Sequence, residues 1–175
     1  MFDYHRKIDF NPGKILQIEN PLEATSPIFL GYDIENQFAT VLERSTHDIP
    51  VDRLFLLTDR TIFDLFGDKF LSRLGKRFPG TKHHLLPEGE ACKTLKVLQK
   101  LCDTLVEKGA NNRSRLIAAG EGAIGNITGL AAGLIFRGIR FIEVPTTLSH
   151  QTDGMLSNKQ AVNGKFGKNH FGLYN

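Results

Sequence analysis

The feature that most restricts what this chain can fold into is the run RLIAAGEGAIGNITGLAAGLIFRGIRFIEVP, residues 115–145. A short apolar stretch, Leu116 to Ala119, meets a glycine cluster, then a long apolar segment, then a second short apolar stretch, Arg140 to Val144, closed by Pro145. That order predicts strand, glycine turn, buried helix and strand. Glycine lets backbone approach a ligand closely, and a helix N-terminus offers unpaired N–H groups to anionic oxygens, so the turn suits a nucleotide or phosphate. Gly120 and Gly122 are the phosphate neighbours, although the cluster lacks the full spacing and downstream acid of a dinucleotide fingerprint. Gly125, Gly129 and Gly133 then recur every four residues. Each costs a helix about 1 kcal/mol relative to alanine, so the stripe predicts a neighbouring backbone packed closely against it.

The remaining chain repeats the strand and helix alternation. Lys14 to Ile18 reads as a short edge strand after the turn Asn11-Pro12-Gly13. Pro27 to Gly31 reads as a strand, and Ile34, Phe38, Val41 and Leu42 as one face of a helix. Arg53 to Thr58 is a continuous apolar strand ending in Asp59, followed by a helix with Ile62, Leu65, Phe66, Phe70, Leu71 and Leu74 on one face. Lys82 to Leu86 is a further strand, and residues 87–93 form a loop. Thr94 caps a helix that turns Leu95, Leu98, Leu101, Cys102, Leu105 and Val106 inward and stops at Gly109. Short connections between these units predict an α/β fold, a parallel sheet flanked by helices with ligands at the carboxyl ends of its strands. Those ends are Asp59, the 87–93 loop, the Gly120 turn, and Pro145 onward.

With 175 residues and 41% hydrophobic content, one core of ordinary size is expected, hence a single domain over residues 1–175. The net charge of +3 is spread among interspersed acids, which suits anionic small molecules and not a nucleic-acid face. Cys92 and Cys102 have neither CxxC spacing nor a signal peptide beside them, and the most apolar segment, Ile124 to Phe136, is too short to span a bilayer. A soluble, cytoplasmic protein is expected. His83 and His84 are adjacent on a strand, so they point to opposite faces and do not grip one metal. His150 and His170 are lone loop histidines, Lys165 is a solvated charge, and no HExxH or similar cluster occurs.

Read together, PEGEACKTL (87–95), GEGAIGNITGLAAGLIFRGIRFIEVPTTL (120–148), Asp153 and LSNKQAVNGKFGKNHFG (156–172) resemble the sugar phosphate cyclases, the family that contains dehydroquinate synthase. The match runs in order from about residue 27 to the end. GNITGLAAGLIFRGI and LSNKQAVN look most like the 2-deoxy-scyllo-inosose synthases, with Asn126 where dehydroquinate synthases carry aspartate.

The resemblance implies a Rossmann-like, dehydroquinate synthase-like N-terminal domain and an NAD-dependent carbon–oxygen lyase. Such an enzyme transiently oxidises a ring hydroxyl of a sugar phosphate, eliminates phosphate and closes a carbocycle by aldol reaction. Asp59 matches the ribose position, Glu90 and Lys93 the loop contacts to the dinucleotide, Gly120, Glu121, Gly122 and Asn126 the pyrophosphate turn, and Thr146 and Thr147 the nicotinamide side. Asp153, Lys159 and Asn169 match substrate contacts, Lys168 lies between cofactor and substrate, and Arg137 matches an arginine that reaches a neighbouring subunit's phosphate site, implying a homodimer. Glu121 departs from the pattern, standing at a family glycine and adding negative charge where the ligand is negative. The family continues into a helical domain holding a glutamate and two histidines that bind zinc, and those metal ligands are expected to be absent from this chain. Three expectations follow: a cofactor half that works with a separate C-terminal-half subunit, a catalytically silent paralogue that assembles with an active cyclase, or a free-standing nucleotide-binding module.

Overall fold

The computed structural model describes residues 16–18, 27–31, 37–45 and 51–174. The chain divides into two compact units, Met1–Asp48 and Ile49–Asn175. In the first, strands β1 (Leu16–Ile18) and β2 (Ile28–Leu30) pair antiparallel, and α1 spans Phe38–Ser45. Phe38, Val41 and Leu42 are buried as their spacing predicts, whereas Ile34 and the turn at residues 11–13 lie outside the described residues.

The second unit carries the parallel sheet. Its strands are β3 (Leu54–Asp59), β4 (Lys82–Leu86), β5 (Arg115–Gly120) and β6 (Phe141–Pro145), in the order β4-β3-β5-β6. All three pairings are parallel. β3 and β5 are central and buried along their whole length, which explains why their sequences are continuous apolar runs rather than alternating ones. Chain order reverses around β3: β4 lies on one side, and β5 then β6 on the other. The carboxyl ends of β3 and β5 therefore flank the switch point at which open α/β sheets bind ligands.

Helix α4 (Leu95–Glu107) and helix α5 (Gly122–Leu134) pack with Phe55, Leu57, Leu116 and Ala118 in one apolar cluster. Thr94 caps α4, its hydroxyl accepting from the Val97 N–H at 3.2 Å, and Gly109 closes the helix at φ +86°. Leu98, Leu101 and Leu105 face the core, but Leu95 and Val106 are about half exposed. They sit at the two ends of the stripe, beyond the reach of the sheet.

The helix after β3 differs more from its sequence pattern. It runs as α2 (Arg60–Ile62), a π-helical turn (Phe63–Gly67) and α3 (Asp68–Arg77). The wider turn rotates the apolar stripe, so Leu74 is buried and Phe70 and Leu71 are half-buried, while Leu65 and Phe66 are 65% and 49% exposed. The expected six-residue face is thus broken at the π turn.

α5 is buried on nearly every side, from Ala123 to Ala132 with Asn126 the half-buried exception. At Gly125 and Gly129 the nearest neighbours of this stripe are side chains, not the backbone expected there. A Cβ at Gly125 would lie 2.6 Å from the Glu143 carboxylate and 2.9 Å from the His150 ring, and one at Gly129 would lie 2.5 Å from Cδ of Gln160. The stripe makes room for polar side chains. Beyond β6 come α6 (Leu148–Thr152) and the antiparallel hairpin of β7 (Lys159–Gly164) and β8 (Gly167–Tyr174), with β7 packed on α5.

Candidate functional site

The expected cofactor positions gather along one edge. Asp59, Gly120 and Pro145 end three adjacent parallel strands, and the Thr146 N–H donates to the Gly120 carbonyl at 3.0 Å. Asp59 is buried, and its Oδ1 accepts from the Ile62 N–H at 2.8 Å, starting α2. One carboxylate oxygen is thereby committed to capping. Glu88, in the loop after β4, accepts from the Thr61 hydroxyl at 2.8 Å and holds that loop beside the start of α2.

Gly120, Glu121 and Gly122 form the turn into α5. Glu121 is the N-cap residue, with extended backbone and no side-chain cap bond. Its carbonyl accepts from the Ile124 and Gly125 N–H groups, while the N–H groups of the first turn have no partner within the helix. The Glu121 carboxylate lies toward Gly89, on the loop of residues 87–93. A Cβ at Gly122 would meet nothing, so the turn is open on that side. Asn126 sits one turn into α5 with its amide engaged at both ends: Nδ2 donates to the Gly122 carbonyl at 2.7 Å, and Oδ1 accepts from the Ala161 N–H at 2.9 Å. It ties the start of the helix to β7.

Of the two threonines after β6, Thr147 caps α6 by accepting from the His150 N–H at 3.3 Å. The Thr146 hydroxyl is buried with no hydrogen-bond partner. Such a group is costly unless something supplies its bond.

The expected cofactor loop meets Asn169, one of the three expected substrate residues, and Lys168 in one polar cluster, which Asp153 and Lys159 do not join. The short 3-10 turn Gly89–Cys92 brings Lys93 inward until it is 5% exposed, and its Nζ donates to Asn169 Oδ1 at 2.6 Å. Asn169 adopts φ +58°, a left-handed conformation that asparagine tolerates better than most residues. Glu90 lies 3.8 Å from Lys93 Nζ and 3.7 Å from Lys168 Nζ, and its Oε2 accepts from Asn163 Nδ2 at 2.7 Å. The Asn163 hydrogen bond, followed by the Lys93 and Lys168 charges, holds the Glu90 carboxyl below the usual carboxylate range despite some desolvation. Lys159, Asp153 and Lys168 are exposed.

Arg137 is not part of this gathering. It follows the far end of α5, exposed at φ +66° in the turn Ile135–Arg137. A helix of 13 residues rises about 20 Å, so Arg137 lies well away from the Gly120 turn. His170 and Lys165 are exposed, and His83 stacks on Phe63 at 4.6 Å on the edge strand.

Three features carried no signal in the spacing. His150 is buried beneath the turn, Nδ1 3.1 Å from the Gly120 carbonyl and Nε2 3.8 Å from Glu143, an ion-pair distance longer than a hydrogen bond. Burial lowers its proton affinity, but Glu143, the Gly120 carbonyl and the charge of Glu121 outweigh it and raise the pKa. Cys92 is fully buried, and burial first, then the Glu121 charge, push its thiol up to about 12. Asn163 is the third, bonded to the cofactor loop and to Asn169 at once.

Among the described residues, no group of three or more histidine, cysteine, aspartate or glutamate side chains is arranged to hold a metal ion, and no helix is long and apolar enough to cross a membrane.

Comparison with known proteins agrees with this fold. Residues 83–175 match the family model of the 3-dehydroquinate synthase N-terminal region. Over 120 residues the chain is 44% identical to a 2-deoxy-scyllo-inosose synthase of Streptomyces ribosidificus, covering 68% of this chain and 30% of that protein. It is 32% identical over 152 residues to a 3-dehydroquinate synthase of Thermoanaerobacter sp. (strain X514), covering 87% and 42%. A crystal structure of 2-deoxy-scyllo-inosose synthase complexed with carbaglucose-6-phosphate, NAD+ and Co2+ superposes with a TM-score of 0.74 at 32% identity, over 92% of this chain and 42% of that one. The chain thus spans less than half the length of these relatives.

Proposed function

Because the chain belongs to the 3-dehydroquinate synthase family, we propose that it is the NAD-binding half of a sugar phosphate cyclase, a carbon–oxygen lyase that eliminates phosphate and closes a carbocycle. The observation that carries this is the convergence, at the switch point of the sheet, of the Gly120–Gly122 turn with the Lys93, Glu90 and Asn169 cluster. NAD, when bound, supplies a hydride acceptor for transient oxidation of a ring hydroxyl.

The residues present fit a dinucleotide. The open turn at Gly122 and the N–H groups that begin α5 favour phosphate oxygens. The unpartnered Thr146 hydroxyl offers a buried hydrogen-bonding group beside that turn, with Thr147 next to it. The remaining Asp59 oxygen accepts from ribose hydroxyls. Lys93 and Lys168 provide positive charge, and Asp153, Lys159 and Asn169 hold the sugar phosphate, whose phosphate also meets Arg137 from a second copy of the chain in a homodimer. Among the described residues no group of histidine, cysteine, aspartate and glutamate side chains fits a catalytic metal, so the roles derived for this half are binding and positioning.

Glu121 favours a second reading, a catalytically silent partner of an active cyclase. A carboxylate at the mouth of the turn opposes a pyrophosphate by roughly 1 to 3 kcal/mol, the span between bulk water and an effective dielectric of 20 at contact range. Calorimetric titration with NAD at low and moderate salt separates the two. Glu121→Gly is expected to tighten binding by about fivefold to a hundredfold, with Glu121→Gln recovering the electrostatic part. Equal affinities for wild type and Glu121→Gly would show that the pyrophosphate does not lie at this turn.

A further inference from the structure

The hairpin of β7 and β8 is irregular at one place. Its register breaks between Val162, opposite Phe171, and Gly164, opposite Gly167, leaving Asn163 facing three residues of the other strand. Irregularities of this kind re-aim side chains and recur beside functional sites. Here the break gives Asn163 three hydrogen bonds. Its N–H donates to the Lys93 carbonyl at 2.8 Å, and its backbone forms an isolated parallel bridge with Thr94. Its Oδ1 accepts from the Asn169 N–H at 3.0 Å, and its Nδ2 donates to Glu90 Oε2 at 2.7 Å.

We propose that Asn163 is the positioning residue that joins the cofactor loop to the substrate hairpin, holding Glu90 and Asn169 so that Lys93 is fixed between them. This rests on the NAD-binding reading for its consequence, though not for its geometry. The chemistry required at the position is specific. One end of the side chain must accept from a backbone N–H while the other donates to a carboxylate, and asparagine supplies one acceptor and one donor at the reach of a single methylene. Aspartate has the shape but would face Glu90 with a second negative charge, and leucine has neither group. The left-handed Asn169 depends on the same contact, since its N–H is held by Asn163 while its side chain holds Lys93. Lys93 therefore has an indirect tether: the 2.6 Å bond to Asn169 stays in place only while Asn163 fixes the Asn169 backbone.

Two readouts test the proposal, one of which needs no cofactor. In the first, native protein is exposed to an amine-acylating reagent and modification is mapped lysine by lysine. Lys93 is expected to be protected in wild type and to gain reactivity about tenfold in Asn163→Asp, with Lys165 unchanged as the internal control. In the second, NAD affinity is measured across the cycle of Asn163→Asp, Glu90→Gln and the double variant. Asn163→Asp is expected to weaken binding about tenfold, as for a lost hydrogen bond to a charged group, and to recover as the pH falls and the two facing carboxylates share a proton. The double variant, in which the donor and acceptor have exchanged sides, is expected to recover most of the loss, which general destabilisation would not permit. Unchanged Lys93 reactivity in Asn163→Asp, or a double variant no better than the worse single one, would overturn the proposal. Failure of every protein to bind NAD, with Lys93 still unmasked by Asn163→Asp, would instead sink the cofactor reading and leave the positioning role standing.

Discussion

The glycine stripe of α5 gives a prediction in which two effects of similar size compete. Gly129→Ala puts a methyl carbon 2.5 Å from Cδ and 2.7 Å from Cγ and Oε1 of Gln160, where ordinary contact distance is about 3.5 to 4.0 Å. Gln160 is 3% exposed and lies on β7. The collision is relieved by a new Gln160 rotamer within that buried site or by a shift of β7, and overpacking of this kind costs about 1 to 3 kcal/mol. Against it stands the gain of about 1 kcal/mol from replacing a mid-helix glycine with alanine. The expected net effect is destabilisation of about 1 kcal/mol, or about 3 °C in Tm for a chain of this size. In a Gln160→Ala background the methyl group has room, so the same substitution is expected to stabilise, giving a coupling of about 2 kcal/mol. Urea denaturation of the four proteins, followed by circular dichroism, measures both quantities. Stabilisation of the wild-type background by Gly129→Ala, or additivity within about 0.5 kcal/mol, would refute the view that the stripe exists to admit Gln160.

The raised pKa of His150 means that the folded state favours its protonated form. Its contribution is then complete below the ordinary histidine value of about 6.5 and is lost as pH rises through the folded value, so stability should fall across that window and His150→Gln should flatten the fall. A pH series of denaturation midpoints identical for the two proteins would contradict this. Cys92, buried and with its thiol pushed up to about 12, should resist alkylation at pH 8 in native protein and react fully once unfolded; mass-spectrometric labelling faster than global unfolding would show that the Gly89–Cys92 turn opens.

Much of the central unit was legible in the sequence because its signals are local. β3 and β5 are uninterrupted apolar runs, Thr94 and Gly109 bracket α4, and the Gly120 turn announces the strand-to-helix junction. Leu65 and Phe66 were misplaced because helical periodicity assumes a constant turn, and the π turn at Phe63–Gly67 breaks it. The stripe at Gly125 and Gly129 signalled a close neighbour correctly but not its chemistry, since a missing Cβ accommodates a glutamine as readily as a backbone. The site divides in the same way. Residues that end strands, such as Asp59 and Gly120, follow from the fold, whereas the bond from Lys93 to Asn169 spans 76 residues and the hub at Asn163 depends on a register break that no local pattern encodes.

The proposed location of the cofactor is open to direct test. Crystals of the chain grown with saturating NAD, for wild type and Glu121→Gly in parallel, test it directly. The expected result is density for the dinucleotide across the carboxyl ends of β3 and β5, with the pyrophosphate at the start of α5 and Lys93 still bonded to Asn169. Density anywhere else on the chain, or none for either protein at a concentration that saturates binding in solution, would contradict it.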